Sequence, residues 1–214
     1  MTLLAVDTAL GACSVCIVKG DAVLAHRLVA MERGHAEALA PMVEAAMADA
    51  RLAFAALDRL AVTTGPGTFT GQRVGLAFMR GLRVALGKPL SGVTTLAAMT
   101  VAAMAETGRE SAAALHDARR GEVYLEIVGA APVGPLVLSF EEAVDVIAAR
   151  TDIVALAGTA APAARERLPH TVLSAVRQPD ALWVARLAAR LPASDAAPKP
   201  LYLRPPDAKL PAPR

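Results

Sequence analysis

An α/β fold with two lobes, the second of them abbreviated, is predicted by this sequence of 214 residues. Short apolar segments at residues 3–8, 13–18 and 22–29, joined by short links, predict an antiparallel meander. Alanine-rich helical patterns and a further apolar strand follow. This order is typical of a ribonuclease-H-like lobe, and two such lobes in tandem form the actin-like ATPase architecture.

The first lobe is expected to cover residues 1–105. After the meander, helical periodicity predicts helices at 35–52, 70–86 and 96–105, with a strand at 60–64. Gly87 and Pro89 end the second of these helices, because glycine caps a helix and proline cannot continue one.

The second lobe is expected to cover residues 106–197 and is less regular. Its predicted strands are 112–115, 122–128 and 153–156, and its predicted helices are 141–149 and 181–191. Six of the last 17 residues are proline, so residues 198–214 are expected to form an extended tail.

Composition narrows the functional class. Alanine accounts for 49 residues, and Arg outnumbers Lys 18 to 4, both biases being typical of a GC-rich genome. The net charge of +2 gives no strong field for nucleic acid or membranes. The sequence has no stretch typical of a signal peptide or a membrane-spanning helix, so we expect a soluble, cytoplasmic protein.

Cys13 and Cys16 form a C-x-x-C spacing inside a predicted strand. Residues three apart in a strand face opposite sides of the sheet, which disfavours a disulfide. A zinc site would need a second pair, which the sequence lacks. We therefore expect two buried, reduced cysteines.

A loop rich in glycine and threonine, residues 63–75, joins a predicted strand to a helix. Thr70, or Thr68 just before it, can cap that helix by accepting a hydrogen bond from a free N–H group. The loop lacks the Lys-Ser/Thr pair of a Walker loop and does not match G-x-G-x-x-G. A capped turn is the simpler interpretation, and contact with an anion or nucleotide remains the alternative.

The helices 35–52 and 70–86 carry more apolar surface than a helix with one buried face needs. Glycines in the second helix each cost about 1 kcal/mol relative to alanine, which suggests close packing of another helix. Burial in a larger core of the chain itself is the alternative. The residues expected at a partner interface are His35, Leu39, Met42, Val43, Met47, Gly71, Gly75, Met79 and Leu82.

Candidates for chemistry are few. Asp7 ends the first strand, where actin-like ATPases hold a metal-coordinating carboxylate, although a hinge or cap aspartate is equally consistent. Arg119 and Arg120 lie in a polar turn, where they could clamp a phosphate or a partner carboxylate, or be solvated. His35 has no histidine four residues later. We therefore predict no catalytic and no metal-binding group, and we regard Asp7, Thr68, Thr70, Arg73, Arg119 and Arg120 as anion or interface contacts.

Three blocks resemble the bacterial TsaB family: residues 5–9 with 12–15, residues 65–71 with Arg73, and residues 117–124. The glycine block followed by Arg73 is the most specific of them. Thr68 stands where serine is more usual, and Gln72 stands where a small aliphatic residue is expected.

The resemblance implies an actin-like fold with degraded nucleotide binding and no cofactor, any nucleotide lying only at a complex interface. It also implies a non-catalytic subunit that binds and activates the threonylcarbamoyltransferase TsaD, associates with the ATPase TsaE, meets tRNA through the complex, and can pair with a second copy. The main alternative is an enzyme: a self-sufficient actin-like ATPase, a transferase or a metallopeptidase. Direct tRNA binding by the basic tail is a third, weaker hypothesis.

Overall fold

The computed structural model describes residues 1–194 and 196–204, so the predicted tail is described only as far as Arg204. The strands of the first sheet are β1 (Thr2–Asp7), β2 (Ala12–Lys19), β3 (Ala22–Ala30), β4 (Arg59–Thr63) and β5 (Leu90–Val93). The helices of this half are α1 (His35–Asp49), α2 (Phe69–Leu86) and α3 (Thr95–Thr107). The strand order is β3-β2-β1-β4-β5, in which β1 pairs antiparallel with β2 and parallel with β4. The predicted meander is confirmed.

The second sheet also has five strands. They are β6 (Ser111–Arg119), β7 (Glu122–Val128), β8 (Val133–Ser139), β9 (Val154–Ala157) and β10 (Val172–Leu173). The helices of this half are α4 (Phe140–Ala148), α5 (Ala161–Arg167) and α6 (Ala181–Arg190). The order β10-β9-β6-β7-β8 places an antiparallel hairpin beside parallel strands, as in the first sheet. The fold is therefore α/β with two similar lobes, and the second is shorter in its helices α4 and α5 rather than in its number of strands.

Both faces of the first sheet are covered. Leu4 and Val6 pack on one face with α1 and α2. Leu3 and Ala5 alternate to the other face, where they pack with α6. Because both faces are buried, β1 is a continuous apolar run that ends in Asp7, rather than an alternating one.

Helix α6 lies on the first sheet although it comes from the C-terminal half. Ala181, Val184 and Ala185 share a buried cluster with strands β1 and β2. Conversely, Leu96 and Met99 of α3 pack with small residues of the second sheet. The predicted boundary between residues 105 and 106 therefore does not separate the two cores, because each sheet takes one helix from the other half of the chain.

The two cysteines are free and buried, on opposite faces of β2. Burial raises the pKa of the Cys13 thiol to about 11 and that of Cys16 to about 12. The prediction that they point to opposite sides is confirmed. No described helix has the length and hydrophobicity needed to cross a bilayer.

Candidate partner surface and interlobe cleft

The loop between β4 and α2 is held by contacts within the chain. Thr68 is the cap of α2, because its Oγ1 accepts a hydrogen bond of 3.1 Å from the N–H of Gly71. The Thr68 N–H in turn donates to the carbonyl of Ala9 at 2.9 Å. A Cβ at Gly67 would lie 2.4 Å from that same carbonyl oxygen, so the loop needs glycine there. Of the two predicted caps, Thr68 is the one used, and Thr70 is exposed in the first turn of the helix.

The glycines on the buried side of α2 allow close approach to the turn after β1. A Cβ at Gly71 would lie 2.3 Å from the carbonyl oxygen of Thr8, and one at Gly75 would lie 2.7 Å from its Oγ1. That hydroxyl donates to the Gly71 carbonyl at 2.7 Å and accepts from the Gly75 N–H at 3.0 Å. These glycines therefore fit α2 to its own chain, and the expectation that they receive a partner helix needs correction.

Most of the residues expected at a partner interface lie inside the first lobe. His35 is buried, with Nε2 3.0 Å from the carbonyl oxygen of Leu10. Met42 and Leu82 are partly exposed. The others are buried in the chain itself: Leu39, Val43, Met47, Gly71, Gly75 and Met79. Helical periodicity located an apolar face correctly, but the first sheet of this chain covers that face.

The opposite face of α2 points to solvent and is also apolar. Val84 is 81% exposed, and Ala77 and Ala85 are exposed beside it. Gly81 lies on the same face, and a Cβ there would meet no neighbouring atom within 4 Å in the described part of the chain. We name this set, residues 77, 81, 84 and 85, the outer stripe of α2. Apolar helix surface that faces solvent is a candidate for contact with a partner protein.

Asp7 is completely buried below the loop. Its Oδ1 accepts hydrogen bonds from Thr63 Oγ1 at 2.6 Å and from the Ala9 N–H at 3.3 Å. Burial raises its pKa to about 7, and the two hydrogen bonds oppose this rise. The groups that hold the carboxyl are hydrogen-bond donors, whereas a bound cation is surrounded by oxygen acceptors. Residues 1–194 and 196–204 contain no group of three His, Cys, Asp or Glu residues placed to hold a metal ion.

A cleft of about 850 Å³ lies between the lobes, with Gly67 and Phe69 on one side and His116 and Thr159 on the other. The Arg119 side of the β6–β7 turn also lines it. Burial lowers the pKa of His116 to about 4, so this imidazole is neutral at pH 7.

Arg119 and Arg120 form an unusual turn between β6 and β7. Their φ angles are 65° and 59°, in the left-handed region that non-glycine residues seldom adopt. The Asp117 carboxylate holds the turn by accepting from the Arg119 N–H at 2.7 Å. Both arginines are exposed, and Arg119 lines the cleft.

Two glutamines fill positions near the cleft that sequence reasoning did not assign. Gln178 Oε1 accepts from the Gly11 N–H at 2.9 Å and so occupies the turn between β1 and β2. Gln72 is buried and donates from Nε2 to the Gly67 carbonyl at 2.9 Å. The departure from the family pattern at Gln72 is the one signal of these contacts in the sequence. The Gln178 amide therefore occupies one backbone N–H group that could otherwise contact an anion.

Arg73 contacts two aromatic side chains. Its guanidinium carbon lies 3.5 Å from the centre of the Phe69 ring, a cation–π geometry. Its Nε donates to the Tyr202 hydroxyl at 2.9 Å. The start of α2 is thus linked to the C-terminal segment.

A family model, curated proteins and solved structures all match this chain. The family model of TsaD, tRNA N6-adenosine threonylcarbamoyltransferase, matches residues 28–172. An uncharacterized protein of Mycobacterium tuberculosis is 40% identical over 212 residues, 97% of this chain and 94% of that protein. The tRNA threonylcarbamoyladenosine biosynthesis protein TsaB of Escherichia coli is 37% identical over 124 residues, 58% of this chain and 53% of that protein.

A solved structure covers nearly the whole fold. A Pseudomonas aeruginosa protein, described as uncharacterized with similarity to peptidase YEAZ, matches with a TM-score of 0.82 and 34% sequence identity. The match covers 95% of this chain and 99% of that one. Both lobes are therefore shared with that structure.

Proposed function

The chain belongs to the TsaB family, and from this premise we propose that it is a non-catalytic scaffold that binds and activates the transferase TsaD. Its named TsaB relatives are biosynthesis proteins of tRNA threonylcarbamoyladenosine, which assigns the chain to this tRNA modification pathway. The proposal includes association with TsaE and tRNA in the assembled complex, pairing with a second copy when TsaD is absent, and a cytoplasmic location.

The outer stripe of α2 is the observation that carries the proposal. Val84 exposes 81% of its surface, and exposed Ala77 and Ala85 extend the apolar area along the helix. Gly81 lowers helix stability by about 1 kcal/mol relative to alanine, yet a Cβ at this position would lie more than 4 Å from its neighbours among the described residues. A partner helix that packs closely against α2 at Gly81 would explain both the exposed apolar surface and the glycine.

The enzyme alternative would use the Asp7 carboxyl and the backbone of the β1–β2 turn to contact a nucleotide. The Asp7 carboxyl is buried and held by the Thr63 hydroxyl, and the Gly11 N–H is occupied by Gln178. These contacts support the absence of a resident nucleotide. Calorimetric titration of the isolated chain with ATP and magnesium should give no binding heat, whereas micromolar affinity would favour the enzyme alternative.

The scaffold proposal is tested by replacing Gly81 with leucine and measuring the affinity for purified TsaD from the same organism. Because the position is open, the substitution leaves the isolated fold intact, but its side chain blocks close helix approach. We expect the Kd of Gly81→Leu to rise at least tenfold, corresponding to about 1.4 kcal/mol.

Ala189→Leu is the matched control, because Ala189 is exposed on α6, which covers the other face of the first sheet. This variant should bind TsaD with wild-type affinity. Wild-type affinity of Gly81→Leu would contradict the assignment of the outer stripe as the partner surface.

A further inference from the structure

Residues 198–204, which we name the strap, run from the first lobe to the second. At the first lobe, Arg80 donates from its guanidinium to the carbonyl of Pro198. The Leu201 N–H then donates to the carbonyl of Thr64, at the end of β4, at 2.8 Å. One side-chain and one backbone hydrogen bond therefore hold the first part of the strap on the first lobe.

The middle of the strap is held by an aromatic contact. The Tyr202 ring stacks on Phe69, with ring centres 5.7 Å apart and an angle of 30° between the planes. Arg73 lies over the Phe69 ring and donates to the Tyr202 hydroxyl at 2.9 Å. Phe69 is 49% exposed and Tyr202 is 43% exposed, so this contact lies at the surface and not in a core.

The end of the strap is held by the second lobe. Arg204 donates from Nη1 to the Ala118 carbonyl at 2.9 Å and pairs with the Glu122 carboxylate. Ala118 and Glu122 flank the β6–β7 turn. Residues 201–204 all line the interlobe cleft, so the strap crosses the cleft opening within four residues.

We propose that the strap is a latch that holds the two lobes closed across this cleft, and that its release opens the cleft without unfolding either lobe. Each lobe has its own buried core, and a buried cluster in which Leu10 and Met99 pack with small residues of the second sheet joins the lobes away from the strap. This cluster provides the connection about which a hinge can turn. Exposed ion pairs and hydrogen bonds contribute little individually, so the latch can open reversibly. Hinge motion about a cleft is a common form of domain movement.

The test uses the full chain with the double substitution Tyr202→Ala and Arg204→Ala. Hydrogen exchange at the Leu201 amide reports release of the strap, because this N–H is bonded to Thr64. We expect exchange at this amide to become at least tenfold faster. Lys199→Ala is the matched control within the strap, because Lys199 is exposed, and it should exchange at the wild-type rate.

Spin labels at Ala48→Cys on α1 and Ala163→Cys on α5 measure the interlobe distance, since both positions are exposed. The native cysteines are buried with raised pKa values, which directs labelling to the new sites. We expect the double variant to give a longer and broader distance distribution than wild type.

A second variant acts from the sheet and leaves the strap sequence unchanged. A Cβ at Gly92 would lie 2.6 Å from the side chains of both Pro198 and Thr64. Gly92→Ala should therefore displace the strap together with the residue that accepts its backbone hydrogen bond, and lengthen the interlobe distance. An unchanged distance distribution in the Tyr202/Arg204 double variant overturns the latch, whether or not Leu201 exchange accelerates. The same changes in Lys199→Ala also overturn it.

Discussion

Replacing Asp7 with asparagine tests whether this carboxyl is a sealed structural group or an accessible ligand. Its pKa is raised from 3.8 to about 7, a rise of roughly 3 units that corresponds to about 4 kcal/mol. Between these two pH values the folded state binds a proton that the unfolded state has released. The contribution of Asp7 to stability is therefore fully present below pH 3.8 and is lost as the pH rises through about 7.

The assay is urea unfolding of wild type and Asp7→Asn at pH 5 and pH 8. Any packing cost of asparagine is the same at both pH values. The change between pH 5 and pH 8 in the difference in unfolding free energy between variant and wild type therefore reports the titration of Asp7. We expect the stability of the variant relative to wild type to increase by about 3 kcal/mol between pH 5 and pH 8. Asp21→Asn, in the exposed β2–β3 turn, is the control and should change stability by less than about 0.5 kcal/mol at both pH values.

A constant difference between Asp7→Asn and wild type would refute this reasoning. It would mean that the carboxylate is ionised throughout the range, and hence solvated or paired with a cation. Such a group would be available for metal binding, which would favour the enzyme alternative.

Three further predictions concern the loop and the buried cysteines. Gly67→Ala places a Cβ 2.4 Å from a backbone carbonyl and should destabilise the chain by about 1–3 kcal/mol in urea unfolding; an unchanged midpoint would contradict the loop geometry. Thr68→Ala should lower stability by about 0.5–2 kcal/mol, whereas Thr70→Ala should change it by less than about 0.5 kcal/mol, and equal losses would refute Thr68 as the cap. Cys13 and Cys16 should resist a thiol reagent in the folded chain at pH 8 and both react in urea; rapid reaction of the folded chain would contradict their burial.

Local pattern predicted much of the fold, because the meander and the long helices each carry a strong periodicity. Three strands and the helix α5 were not predicted; of these, β10 has only two residues and α5 has seven. β5 has four residues and contains Gly92, and β8 contains Pro135, which is tolerated because β8 is an edge strand. The packing of α6 on the first sheet also could not be predicted, since chain order does not specify which sheet a distant helix covers.

The candidate site shows the same limit. The sequence indicated that glycines in α2 serve close packing, and Gly71 and Gly75 do so, but against Thr8 of the same chain. Periodicity identifies an apolar face and cannot say what covers it. Gly81, on the opposite face, is the glycine whose surroundings are open, and only three-dimensional contacts distinguish it from the other two.

The most direct test of the scaffold proposal is reconstitution of threonylcarbamoyl transfer to tRNA, with the modified nucleoside measured by mass spectrometry. We predict no product with this chain alone and product when TsaD and the other pathway proteins are added. The stimulation should be lost with Gly81→Leu but not with Ala189→Leu. Product formed by this chain in the absence of TsaD would contradict the proposal that it is a non-catalytic scaffold.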